Sequence, residues 1–163
     1  MSLSFLYQKR RKPEKLRTRK IKVNEMNTAQ ATLMDNNLCV LATCSENKPN
    51  SSLMQYTCNN DASEMYMLTL KGSSKYRNIV SNPEVSLLVD TRNNANGIRA
   101  LTIYGKASII EDAAPRQVLI TQLVEKNPDL TVFAGNPDVC LISVKIESFL
   151  LLDGLVESTY FSL

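Results

Sequence analysis

A chain of 163 residues, 44% apolar and 21% charged, has the size and mix of one soluble globular domain, which excludes an intrinsically disordered protein. No apolar run approaches the roughly 18 residues of a membrane span, and Phe5-Leu6-Tyr7 is far too short for the core of a signal peptide, so a cytoplasmic protein without a membrane partner is expected. The net charge of +3 is uneven: residues 1 to 22 hold nine of the 19 basic residues against one acid, Glu14, giving +8 there and −5 for the remainder.

The chain therefore divides into a basic N-terminal arm, residues 1–23, and a folded domain, residues 24–163. A basic arm can contact nucleic acid or anionic lipid, but an arm that is solvated, or that lies on its own acidic body or a partner subunit, is commoner. Nucleic acid is accordingly not the expected partner. After the arm, Asn24-Glu25-Met26-Asn27 can cap a helix to about Asn36, with Met26, Ala29, Leu33 and Met34 on one face. Leu38–Cys44 reads as a strand, apolar on both faces, followed by the turn formers Ser45 to Asn50 and a second strand over Ser52–Cys58. Glu64–Leu70 is a third. Beyond a short helix, Val85, Leu87 and Val89 alternate along a fourth strand that ends in the polar loop Arg92 to Gly97. Ile98–Ile110 is a long fifth strand in which Gly105 signals a bulge. A helix over about 113 to 126 ends at Asn127-Pro128, and Val139–Leu152 is a sixth, long strand broken by Asp153-Gly154. Neighbouring strands this close in sequence pair antiparallel. The expected architecture is mainly β: a six-stranded antiparallel split β-barrel with short flanking helices, with an open α+β sheet as the alternative.

The chain contains no histidine. That argues against serine–histidine and cysteine–histidine nucleophiles and against zinc, and no metal site is expected. Redox chemistry carried by a bound cofactor needs no protein imidazole. Cys39, Cys44, Cys58 and Cys140 form no C-x-x-C pair and read as small apolar residues.

The stretch "LTLKGSSKYRNIVSNPEV", residues 68–85, hands a strand to two helical turns through Gly72-Ser73-Ser74-Lys75, with Tyr76, Ile79 and Val80 on the expected buried face. Pro83 stops the helix and pushes Asn82 toward an extended conformation. Free N–H groups at the helix start, two hydroxyls and a lysine converge, which is the chemistry of a phosphate site. An ordinary serine cap beside a surface lysine fits the same residues, and local chemistry leaves both readings open. Neither a Walker loop nor a dinucleotide fingerprint is present.

Thr69, Ser73-Ser74-Lys75, Asn78-Ile79, Asn82-Pro83 and the apolar strand after them resemble the FMN-binding split-barrel family related to pyridoxamine 5′-phosphate oxidase. "LCVLATCSENKPNSSLMQY" is similar to that family's first hairpin, and the likeness runs through "LTIYGKASIIED" to "VCLISVKIESFLLLDG", covering about residues 25 to 155. The resemblance implies that Ser73, Ser74 and Lys75 grip the FMN phosphate with help from Thr69, and that Ser52, Leu53, Met54 and Gln55 run past the flavin ring and ribityl chain. It also implies a homodimer with flavin at the subunit interface, passing electrons from a reduced nicotinamide or other donor to a small acceptor.

The alternatives are a non-catalytic flavin-binding or electron-carrier module, and deazaflavin in place of FMN. Tyr56 is the one candidate proton donor, with packing as its competing role. Ser52 stands where pyridoxamine phosphate oxidases carry an arginine, and the histidine typical of the nitroimidazole-resistance branch is missing. The missing histidine argues against that branch, and the departure at Ser52 argues against oxidation of pyridoxamine phosphate itself.

Overall fold

A computed structural model describes residues 23–91, 99–154 and 157–163. The basic segment 1–22 and the polar loop 92–98 lie outside the described residues. In chain order the elements are α1 (Val23–Asp35), β1 (Leu38–Ser45), β2 (Lys48–Gln55), β3 (Thr57–Cys58), β4 (Glu64–Leu70), α2 (Ser74–Ser81), β5 (Glu84–Asp90), β6 (Arg99–Ile110), α3 (Ala113–Lys126), a 3-10 turn (Pro128–Leu130), α4 (Thr131–Ala134), β7 (Val139–Asp153) and β8 (Glu157–Ser162).

All the strands join one antiparallel sheet in the order β2-β1-β5-β6-β7-β4-β3, and β8 also pairs with β7. The mostly β, antiparallel split barrel expected from the sequence is the one that forms, with two short strands beyond the six foreseen. Strand β7 organises it. One edge follows β6 for its whole length, while the other serves β4 over Val139–Lys145 and β8 over Ser148–Asp153. At Gly105 the β6–β7 register shifts by one residue, the bulge the glycine signalled. A Cβ there would lie 2.3 Å from the Lys145 carbonyl oxygen, so the two backbones approach too closely for any side chain.

The first hairpin is tighter than expected. Glu46 and Asn47 both take positive φ (51° and 60°), the geometry of a two-residue turn whose twist suits the flanking strands. Lys48-Pro49-Asn50 therefore enters the ladder with Ser45, Cys44 and Thr43 instead of forming a loop. Pro49 is tolerated because β2 is an edge strand. Along β1 the side chains alternate: Cys39, Leu41 and Thr43 are buried inside the barrel, while Leu38 and Val40 are exposed outside.

Inside the barrel Leu41, Met54, Leu87, Ile103 and Phe149 pack with Ala29 and Leu33 of α1, which plugs one end. Each such aliphatic or aromatic side chain contributes about 1.5–3 kcal/mol through removal from water. A second apolar cluster joins α3, through Ile120 and Leu123, to Leu68 of β4 and to Val139 and Leu141 of β7. Strand β8 had no clear sequence signal, because one buried side chain, Phe161, holds it to Phe149 with ring centroids 5.4 Å apart. No helix of the described residues is long and apolar enough to cross a membrane.

Candidate functional site

The split in the barrel begins at Tyr56. Strand β3 pairs with β4 through Thr57–Tyr66 and Cys58–Met65, but the β2 residues just before it form no ladder with β4. Tyr56 itself turns its backbone elsewhere, its N–H donating to the Asn37 carbonyl at 2.9 Å. The edges of β2 and β4 therefore diverge from a closed end at Tyr56 toward the start of α2.

Helix α2 is built to stand at the open end. Gly72 takes φ +82°, a left-handed turn that glycine adopts without strain. Ser73 is the N-cap in extended conformation, and its Oγ accepts from the Tyr76 N–H at 3.3 Å. The same hydroxyl meets Thr69 Oγ1 at 2.9 Å, so the threonine ending β4 and the serine opening α2 are joined. Asn82 at the C-cap is extended, as the following Pro83 requires. The helix is tied to β1 by side chains: Asn78 Nδ2 donates to Thr43 Oγ1, and Asn82 Nδ2 to the Cys44 carbonyl, both at 3.0 Å. Of the face expected to be buried, Ile79 is buried and Tyr76 half-buried, but Val80 is exposed. With one residue per 100° of turn, Val80 is carried off the buried face once Ile79 is seated.

Between the diverging edges lies a cavity of about 550 Å³, within the usual range for ligand sites. Six of the eight residues singled out from sequence line it: Leu53, Met54, Gln55, Thr69, Ser73 and Lys75. Ser52 and Ser74 do not. Ser52 lies one residue farther from the split and faces Asn50 Oδ1 at 3.4 Å. Ser74 Oγ accepts from Arg77 Nη2 at 3.3 Å, and Arg77 Nη1 donates to the Gly72 carbonyl, so that hydroxyl is engaged on the outer side of the turn. Five lining residues escaped the sequence reading: Leu38, Leu68, Leu70, Leu130 and Phe133. The first three were placed on strands without a role, and nothing local marked Leu130 or Phe133, which reach the cavity through the turn after α3.

The cavity is thus polar at one end and apolar along its walls. Among the described residues Lys75 is the one ionisable side chain in its lining, and none of them sets a carboxylate against it. At the first turn of α2 the N–H groups of Ser74 and Lys75 have no intrahelical partner, so cation, donors and helix polarity favour an anion. Tyr56 is not a proton donor to this space: it is fully buried and its hydroxyl donates to the Leu33 carbonyl at 2.8 Å. Burial, with smaller contributions from Cys39 and Cys58, pushes its ionisation well above the ordinary phenol range. All four thiols are free, and among the described residues no group of acidic, cysteine or histidine side chains is arranged to hold a metal.

A family model for pyridoxamine 5′-phosphate oxidase matches residues 26–152, from α1 to the end of β7. The chain belongs to the pyridoxamine 5′-phosphate oxidase family. Solved structures share this family's fold with it at low identity. General stress protein 26 of Bacillus anthracis str. Sterne is 21% identical over 85% of this chain and 99% of that one, with TM-score 0.65. A FAD-binding protein of Mesorhizobium loti is 16% identical over 80% and 94%, with TM-score 0.65. A heme-binding protein of Mycobacterium smegmatis is 13% identical over 88% of this chain but 60% of its own, with TM-score 0.75. Among curated proteins the sequence has no match.

Proposed function

We propose that this member of the pyridoxamine 5′-phosphate oxidase family binds FMN in the cleft of the split and acts as an FMN-dependent oxidoreductase on a small acceptor. The observation that carries the reading is the meeting, in one cavity, of the Lys75 cation at a helix N-terminus with long apolar walls. That pattern suits a ligand with a phosphate at one end and a flat ring system at the other. Lys75 Nζ and the N–H groups of Ser74 and Lys75 would neutralise and orient the phosphate. Ser73 Oγ already serves Tyr76 and Thr69, so it shapes the turn and offers its remaining capacity to the anion. Leu53, Met54 and Gln55 on one side, with Leu68, Leu130 and Phe133 on the other, would exclude water from the ring. Bound flavin supplies the redox chemistry.

The chain acts as a homodimer in this reading. Register places Leu53, Val40, Leu88, Thr102, Leu150 and Tyr160 side by side in one row across the outer face of six strands. Leu53, Val40, Leu88 and Tyr160 are exposed there, Leu53 by 72%. Leu53 also lines the cavity, so a second copy seated on this row would cover the cavity mouth.

A non-catalytic electron carrier is the second reading, favoured by a cavity lining in which the described residues include no acid or phenol. Haem, bound by one structural neighbour, would find no imidazole ligand in a chain without histidine.

The absorbance spectrum of the purified protein tests the central reading, and the mass of the released ligand separates FMN from deazaflavin. Oxidised-flavin bands with turnover of a reduced nicotinamide support the oxidoreductase. Bands without turnover in a panel of acceptors support the carrier, and failure to take up added FMN removes both.

A further inference from the structure

In the sequence, Asn127 is half of an Asn-Pro helix stop. In the structure its side chain is a buried hub, 1% exposed. Its Oδ1 accepts from Asn37 Nδ2 at 2.9 Å, and its Nδ2 donates to the Tyr56 carbonyl at 3.2 Å and the Leu123 carbonyl at 3.0 Å. Two of the three partners adjoin residues that line the cleft, and the third belongs to α3. Asn37 immediately precedes Leu38, and Tyr56 immediately follows Gln55 at the point where β2 and β4 part; Leu123 lies near the end of α3. From Asn127 the chain runs directly into the turn and short helix that present Leu130 and Phe133, and the Leu130 N–H donates back to the Asn127 carbonyl at 3.0 Å. One amide therefore links the two walls at the closed end.

Lys126 reinforces the link. Its Nζ donates to the carbonyls of Met34 and Asn36, at 3.0 and 2.8 Å, and sits 5.2 Å from the centroid of the Tyr56 ring. The segment Pro128–Ala134 otherwise holds few buried side chains of its own, since Leu130 and Phe133 are half-buried and Val132 is 89% exposed. Leu130, Phe133 and Ala134 do pack against the cluster around Leu123 and Leu141, and the anchor at Asn127 sets where along the cleft that contact is made.

We infer that Asn127 is the positioning residue for the ring end of the cleft: it fixes the spacing between the Leu38–Gln55 side and the Leu130–Phe133 wall. The flat ring is then gripped there independently of the phosphate at Lys75. This rests on the flavin reading above. A buried carbonyl deprived of its donor is costly, so loss of the amide is relieved by movement of the element whose contacts are only half-buried, the wall.

Two variants test this. Asn127→Asp keeps the shape but removes both Nδ2 donors, and Phe133→Ala removes the wall's ring without touching the hub. Hydrogen exchange of the free protein is read over residues 128–134, and FMN and riboflavin are titrated in parallel. For Asn127→Asp, exchange over 128–134 should accelerate while the β6–β7 ladder keeps its protection. Both flavins should weaken by the same factor, about ten-fold. Affinity should partly return as pH falls, because the introduced carboxyl, facing carbonyl oxygens, regains a donor when protonated. Phe133→Ala should weaken both flavins equally with no pH recovery, and decides the wall's role if the first variant does not fold. Unchanged exchange over 128–134, or a loss confined to FMN, overturns the inference. If the wild type binds neither flavin, the flavin reading falls, and the exchange result alone decides whether Asn127 holds the wall.

Discussion

Cys39 shows how far burial controls single residues in this barrel. It is 2% exposed on the inner face of β1, and desolvation pushes its thiol from 9.0 up to about 12. Above pH 9.0 the unfolded chain releases this proton and the folded chain keeps it, so stability is complete below pH 9.0 and falls as pH rises toward 12. Urea midpoints at pH 7 and pH 10 should therefore decline in the wild type and decline less in Cys39→Ala; parallel slopes would contradict the assignment. The Ser73–Lys75 turn was legible in the sequence because glycine, hydroxyls and lysine meet within four residues. Asn127 was not, since a capping asparagine and a buried amide hub look alike until its partners at positions 37 and 56 are brought to it. The Ser74 hydroxyl stays outside the cavity lining for a related reason. Its neighbour Ser73 is the cap, and a side chain three residues later, Arg77, takes the second hydroxyl.

At the scale of elements, periodicity and turn residues carried the reading wherever packing is regular. The bounds of α3, the length of β6 and its Gly105 bulge follow directly from the pattern. The bulge gives a sharp prediction. Gly105→Ala places a Cβ against backbone atoms of Lys145 that cannot rotate away, and should cost about 2–4 kcal/mol, read as a lower urea midpoint. An unchanged midpoint would mean that the two strands are not so closely apposed. The break of β2 at Tyr56 was illegible because it has no turn residue. Long-range bonds to Asn37 and Asn127 make it, and with it the split that creates the cavity. Strand β8 and the Pro128–Ala134 wall were missed because each shows little apolar periodicity: β8 buries Phe161 alone among its described side chains, and the wall buries none fully.

Over the whole molecule, the features converge on one seam. The cleft opens where the sheet fails to close, its mouth is rimmed by Leu53, and Leu53 begins an apolar row that runs outward across the sheet to Tyr160. A lysine placed in the middle of that row, by Leu88→Lys, would bury a charge in the interface of the proposed dimer. It should give a monomer by light scattering and at least ten-fold weaker FMN binding, with an unchanged circular dichroism spectrum. A variant that stays dimeric and binds FMN normally would move the interface elsewhere.

The flavin proposal stands or falls with a phosphate contact at Lys75. Fluorescence titration of the wild type and of Lys75→Ala, each with FMN and with riboflavin, measures that contact alone. FMN should bind the wild type at least ten-fold more tightly than riboflavin, and Lys75→Ala should erase most of that difference by weakening FMN only. Equal binding of the two flavins by the wild type, or a preference for FMN untouched by the loss of Lys75, would contradict it.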